Sequence, residues 1–159
     1  PFLFLLLLNY NQEAFNWEGK QLKTIETKIR VRYGETDQMG FAFYANYLSW
    51  FEVGRSEFCR ALSHPYKHWE EKGIILPAVE AYVRYKHPLR YDDVAVIKTS
   101  VQEVKPYSVT FSYEVLLEEN GRLVAEGWTR HAFCDPTGKL VKEPEPFYSW
   151  IKEQLEKND

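Results

Sequence analysis

The chain has 159 residues, 45% of them apolar and 16% aromatic, enough for one domain with a hydrophobic core of its own. Its net charge of −3 comes from interspersed signs, which leaves no basic stripe for a nucleic-acid backbone, so no DNA or RNA partner is expected. Two cysteines far apart in sequence, Cys59 and Cys134, sit in apolar-periodic stretches and read as buried thiols in a reducing, cytoplasmic setting rather than as a disulfide framework.

The first element is an apolar run at residues 1–8. It is shorter than the about 20 residues of a spanning helix, and it lacks the basic start and small-residue cleavage site of a signal peptide. This run is expected to dock on an apolar surface, with no stable membrane insertion, within an apolar extension of unknown role at residues 1–22, ahead of a domain at 23–159. Across residues 23–33, Ile25, Thr27, Ile29, Val31 and Tyr33 alternate with Glu26, Lys28, Arg30 and Arg32, the period of a half-buried strand. Gly34, Thr36, Asp37, Gln38 and Gly40 break that period and predict a loop.

From about residue 44 to 62 no proline appears, and Tyr47, Trp50, Phe51, Gly54, Phe58, Ala61 and Leu62 recur at helical spacing, which predicts one long helix. Gly54 in the middle of this stripe costs about 1 kcal/mol of helix propensity relative to alanine, so a close neighbour, most simply a sheet, is expected against it. After His64 and Pro65 comes a polar turn or short helix ended by Gly73. Strand-like stretches then run over 74–85, 94–104, 109–117 and 122–134, with turns at Lys105-Pro106-Tyr107 and Asp135-Pro136-Thr137-Gly138. Asn120-Gly121 predicts a type I′ hairpin between the last two strands, and 147–157 suits a short amphipathic helix. This order is an α+β pattern with the long helix on one face of the sheet.

One stretch carries the chemistry: Tyr33-Gly34-Glu35-Thr36-Asp37-Gln38-Met39-Gly40-Phe41-Ala42-Phe43-Tyr44-Ala45-Asn46-Tyr47. Taken alone, an aspartate in a Thr-Asp-Gln turn more often makes an Asx-turn or cap than a catalytic centre, and Tyr44 reads as a first-turn aromatic of a core stripe. Together with Trp50-Phe51-Glu52, Arg55, Tyr91-Asp92-Asp93 and Ala125-Glu126-Gly127, however, the stretch resembles the signature of the 4-hydroxybenzoyl-CoA thioesterase family over residues 23–141. It is also similar to the bacterial Tol-Pal-associated acyl-CoA thioesterases.

The resemblance implies a hot-dog fold, an antiparallel sheet of about five strands wrapped around one long central helix. It implies a homodimer with active sites at the interface, assembled further into a dimer of dimers. It also implies that Asp37 acts as nucleophile or general base on an acyl-CoA thioester, while the backbone N–H of Tyr44 polarises the carbonyl. Many bacterial members carry histidine where this chain has Tyr44, which leaves the substrate class open but not the role of a backbone amide. Thioester chemistry fits these parts independently. A helix N-terminus offers unpaired N–H donors to an oxyanion, and a leaving thiol with a pKa near 8.5 departs without a strong general acid.

Gly40, Phe41, Phe43 and Asn46 surround this pair in sequence and are candidate substrate contacts, with Trp50 and Phe58 adding to an apolar or aromatic pocket. Asn46 serves equally well as a cap-region residue. Arg84 and Lys105, with Lys86, Arg90 and Arg130, are candidates for CoA phosphates, against the plain alternative of solubilising charges. Glu52 and Arg55 at i, i+3 read as a helix ion pair. His64 and His68 lack the order of a His-Glu-x-x-His site and read as a solvated face, and His87 and His131 have no serine or cysteine elbow to form a triad. No metal and no cofactor are expected. A hydroxyacyl-thioester dehydratase of the same fold would need a histidine that residues 34–47 lack. An acyl-carrier-protein substrate and a non-catalytic acyl-thioester binder stay open as alternatives.

Overall fold

The computed structural model describes residues 23–155, so the apolar extension expected at 1–22 lies outside the described residues. Strand β1 (Thr24–Arg30) leads through a 3-10 turn (Tyr33–Glu35) and a loop into helix α1 (Asn46–Ala61). A short helix α2 (Tyr66–Glu71) follows, then β2 (Ala78–Tyr85), β3 (Val94–Lys105), β4 (Ser108–Leu117) and β5 (Arg122–Ala132), and finally α3 (Phe147–Glu153). The strands form one antiparallel sheet in the order β1-β3-β4-β5-β2, and α1 lies on one face of it against β1 and β3. The expected order of strand, long helix and four further strands is the order observed.

Three differences from the sequence reading have a local cause. The inward row of β1 runs through Ile25, Thr27 and Ile29 to Val31, but Tyr33 leaves it and is 78% exposed. The Glu35 carboxylate accepts the Arg32 N–H at 2.8 Å and turns the chain into the 3-10 segment before a further strand residue can form. The strand expected at 74–85 starts only at Ala78, because Pro77 has no N–H for a ladder. Ahead of it, Ile75 makes an isolated bridge to Cys134. The β4–β5 connection is a four-residue loop, not a type I′ turn. Gly121 takes a φ of 69°, whereas Asn120 uses its side-chain oxygen to accept the Arg122 N–H at 3.0 Å.

Helix α1 buries Tyr47, Trp50, Phe51, Gly54 and Phe58 of the predicted stripe, together with Cys59, whereas Ala61 is exposed and Leu62 half-buried at the helix end. Phe51 stacks on Tyr113 of β4 at 4.2 Å and 5° between planes, and Phe58 meets Phe111 edge-on. The close neighbour expected at Gly54 is β3: a Cβ there would stand 2.6 Å from Thr99 Oγ1 and 2.9 Å from Ile97 Cγ2. A second glycine, Gly127 of β5, lies under the same helix, where a Cβ would come within 2.2 Å of the Tyr82 carbonyl and 2.9 Å of Phe51 Cε2. Cys59 and Cys134 are both free and buried, and burial pushes the Cys59 thiol up to about 12. It is an inert core group.

Gly54→Ala gains helix propensity but drives a methyl into β3. The clash should prevail, with a net loss of about 1–2 kcal/mol in urea unfolding. Adding Thr99→Ala removes the nearest atom and should recover part of that loss; a stabilised single variant would show that the helix shifts freely on the sheet.

Candidate active site

Between β1 and α1 the chain folds back on itself. Thr36 and Ala42 form an antiparallel bridge, the Asp37 N–H donates to the Phe41 carbonyl at 2.8 Å, and the Phe43 N–H donates to the Glu35 carbonyl at 2.7 Å. Asp37 is thereby laid alongside residues 41–43, the segment that runs directly into Tyr44. Gly40, at a φ of 79°, supplies the reversal, and the Gly40 N–H closes it on the Asp37 carbonyl at 2.9 Å.

The Asp37 carboxylate is half-buried and its two oxygens are used differently. Oδ1 accepts the backbone N–H of Met39 at 2.9 Å and of Phe41 at 3.2 Å, the Asx-turn that the local sequence predicts. Oδ2 accepts no hydrogen bond among the described residues. The local capping role and an available carboxylate oxygen therefore coexist in one side chain.

Helix α1 starts at Asn46, so Tyr44, read from the sequence as its first residue, precedes it by one position beyond the cap residue Ala45. The Asn46 and Tyr47 N–H groups are used in the entry turn, on the carbonyls of Phe43 and Tyr44. The N–H groups of Tyr44 and Ala45 donate to no acceptor among the described residues, and they stand at the positive end of the helix dipole.

The contacts around this entry turn close into a ring. Glu35 Oε1 accepts the indole N–H of Trp50 at 3.3 Å, Trp50 packs on Tyr47 with centroids 4.7 Å apart, and Tyr47 meets Tyr85 of β2 edge-on at 5.0 Å. The Tyr85 hydroxyl donates to the Tyr44 carbonyl at 2.8 Å, the Tyr44 ring packs on Phe43 at 4.6 Å, and Phe43 returns to Glu35 through its N–H. Asn46 Nδ2 adds a crossing bond to the Glu35 carbonyl at 2.8 Å, a contact of the cap-region kind.

The other candidate residues divide by position. Phe41 lies under the guanidinium of Arg90, with the Arg90 carbon 4.8 Å from the ring centre, and Arg90 Nη1 lies 3.4 Å from where a Cβ on Gly40 would stand. Arg90 thus borders the Asp37 loop. Phe43 is 43% exposed beside Tyr44. Arg84 precedes Tyr85 on β2 and so points to the opposite face of that strand. Lys105 ends β3 in an ion pair with Glu103 at 3.2 Å; the loop lies by the other end of that strand, on the order of 30 Å away at 3.3 Å per residue. Within one subunit Lys105 and Asp37 do not meet.

A family model described as the thioesterase-like superfamily matches residues 31–155. The chain belongs to that superfamily. A candidate acyl-CoA thioesterase of Bacillus subtilis, YneP, is 34% identical over 124 residues, which cover 77% of this chain and 89% of YneP. Among solved structures, a hypothetical protein of Thermus thermophilus superposes with a TM-score of 0.76 at 33% identity, covering 82% of this chain and 98% of that one. A DHNA-CoA thioesterase of Staphylococcus aureus superposes at 0.74 and 32% identity, covering 81% and 87%. The sheet and central helix described above are the hot-dog fold of these thioesterases, as the resemblance implied.

Glu52 and Arg55 do not form the helix ion pair that their spacing predicts. Exposed Glu52 accepts the Ser56 hydroxyl at 3.0 Å. Arg55 turns inward and its Nη1 donates to His131 Nε2 on β5 at 3.0 Å. Nε2 must then offer its lone pair, so the proton sits on Nδ1 and is donated to the Leu76 carbonyl at 3.0 Å. Thr129 Oγ1 closes on Nε2 at 2.8 Å and is reached by the Tyr113 hydroxyl at 2.7 Å. His64, expected on a solvated face, packs instead between Trp69 and Trp150 at 5.2 and 5.1 Å. Its neighbours are aromatic because α2 and α3 meet there.

Burial, and secondarily the Arg55 charge, lowers the His131 pKa to about 4. Around the ring stand Arg55 from α1, Thr129 from its own strand, Phe111 from β4 and the Leu76 carbonyl, and none of them is a carboxylate. The unfolded chain takes up a proton near 6.5 that the native state refuses until about 4. The stability this represents, roughly 3 kcal/mol, is fully present above pH 6.5 and is lost as pH falls from 6.5 to 4. Urea unfolding of wild type and His131→Gln at pH 7.5 and 5 should show a smaller pH dependence in the variant; equal dependence would mean that other groups account for it.

Proposed function

We propose that the chain hydrolyses acyl-CoA thioesters to the free acid and CoA, with Asp37 as the catalytic carboxylate and the Tyr44 N–H as the oxyanion donor. The observation that carries this reading is the divided carboxylate. One oxygen is locked by the Met39 and Phe41 amides, and the other faces no protein donor among the described residues, in a loop laid against the segment that presents the unused Tyr44 and Ala45 amides. The names borne by the Bacillus and Staphylococcus relatives support a CoA thioester as the substrate.

Two courses satisfy the chemistry. In one, Oδ2 attacks the thioester carbonyl carbon, the C–S bond breaks, CoA leaves as its thiolate, and water hydrolyses the resulting mixed anhydride. In the other, Oδ2 takes a proton from water as that water attacks. In both, the carbonyl oxygen gains negative charge where the Tyr44 amide meets it, and water is the only co-reactant. Arg90, beside Phe41 and Gly40, is a cation of this loop's border that can meet an anionic part of the substrate.

The working unit in this reading is a homodimer formed along β2, with dimers pairing further, in the cytoplasm. Strand β2 ends the sheet with an open ladder edge and carries Val79, Tyr82 and Tyr85 at 55%, 47% and 46% exposure, an apolar edge that a lone subunit would present to water. Light scattering at micromolar concentration should report at least two copies, and a monomer would remove the shared-site arrangement.

Wild type should release free thiol from one or more short, long or aromatic acyl-CoAs. Asp37→Asn should lower turnover by about 10³-fold or more, with folding and assembly unchanged. Near-normal turnover in that variant would take the role from Asp37. Turnover of acyl-carrier-protein thioesters alone would move the substrate to the protein-bound pantetheine arm, and tight binding without turnover would favour a binding module.

A further inference from the structure

Resting on the reading of Asp37 and Tyr44 above, we infer that Glu35 is the positioning residue of the site, the group that holds the carboxylate loop and the oxyanion donor in one frame. Four hydrogen bonds converge on it from outside its own turn or across it. Its Oε2 accepts the Arg32 N–H at 2.8 Å and Oε1 accepts the Trp50 indole N–H at 3.3 Å. Its carbonyl accepts the Phe43 N–H at 2.7 Å and Asn46 Nδ2 at 2.8 Å. One residue thus ties the end of β1, the segment before Tyr44 and two successive turns of α1.

Its charge is not explained by pairing with Arg32. That guanidinium is 79% exposed and 3.4 Å away, whereas the Glu35 side chain is 12% exposed. An ion pair open to water on one side contributes little, about 1 kcal/mol or less. An enclosed carboxylate is retained at a cost, and here both of its oxygens orient neighbours, Oε1 doing so while it also meets the exposed Arg32 guanidinium at 3.4 Å. Glu35 also lies two residues before Asp37 in the same fold-back. A shift of Glu35 therefore moves Asp37 directly and moves Tyr44 through Phe43 and Asn46. A displacement of about 1 Å between attacking oxygen and oxyanion donor is enough to cost about a hundredfold in rate.

The test pairs kinetics with hydrogen exchange on the full-length protein. Glu35→Gln keeps one acceptor oxygen and should lower kcat about tenfold; Glu35→Ala should lower it about a hundredfold, both with KM within about twofold of wild type. Trp50→Phe, which removes a single donor to the carboxylate, should fall between wild type and Glu35→Gln, and it stands in if the Glu35 variants do not fold. Amide exchange should rise across residues 36–47 in each variant while β3 to β5 stay protected. Wild-type kcat with wild-type exchange would overturn the assignment. So would a raised KM at unchanged kcat, because that would put Glu35 on the bound substrate. If wild type cleaves no thioester at all, the hydrolase reading fails by itself, and exchange still decides whether Glu35 holds the frame: a rise confined to 36–47 supports it and no rise overturns it.

Discussion

The close approach of α1 to the sheet is the constraint on which everything else rests. At Gly54 the helix comes so near β3 that no side chain fits between them, and Gly127 gives Phe51 the matching space on β5. These two contacts fix the height and rotation of the helix over the strands, because moving it either way opens a void or drives backbone into side chain. The loop of residues 31–45 begins at the end of β1 and finishes at the start of α1, and both of those elements are packed against β3. Its ends are therefore held by the core, and the short fold-back around Asp37 has little freedom left to lose.

Much of this was legible in the residues. The alternation of β1, the aromatic stripe of α1 and the placement of Gly54 are local patterns, and each led to the element and contact that the fold contains. The Asp37 loop was legible through its Asx-turn chemistry and, beyond that, through its likeness to a known signature. What escaped was long-range. The bonds from Trp50 and Asn46 to Glu35 span 15 and 11 residues, and that from Arg55 to His131 spans 76. No periodicity announces such pairs. Arg55 was read against Glu52 because they are near in sequence, but an imidazole acceptor inside the core competes better than an exposed carboxylate that water already solvates. Asn120 was likewise read for its tolerance of positive φ when its side-chain oxygen was the part in use.

The Arg55–His131 link holds a half-buried cation on an imidazole. Most enclosed guanidiniums face a carboxylate; this one is received by a neutral imidazole whose tautomer is fixed from behind by the Leu76 carbonyl. The arrangement joins the middle of α1 to the far end of β5 and to the chain leading into β2. It complements the glycine contacts, which set distance, by setting direction, since hydrogen bonds to a planar ring tolerate little rotation. The helix is thus fixed by sterics on one side and by a polar tether on the other.

The unequal use of the two Asp37 oxygens has a consequence for what an asparagine at that position becomes. The Met39 and Phe41 N–H groups donate and so need an oxygen opposite them, which directs an asparagine to put its carbonyl on the locked side and its NH₂ on the open side. The replacement then presents N–H donors where Oδ2 stood, the oxygen that the proposed hydrolysis uses. In the hydrolysis proposed above, such a protein lacks the reactive carboxylate oxygen and offers in its place a donor to the thioester carbonyl oxygen. On that proposal it is a substrate trap, suited to retaining an intact thioester from a mixture long enough for its acyl group to be read.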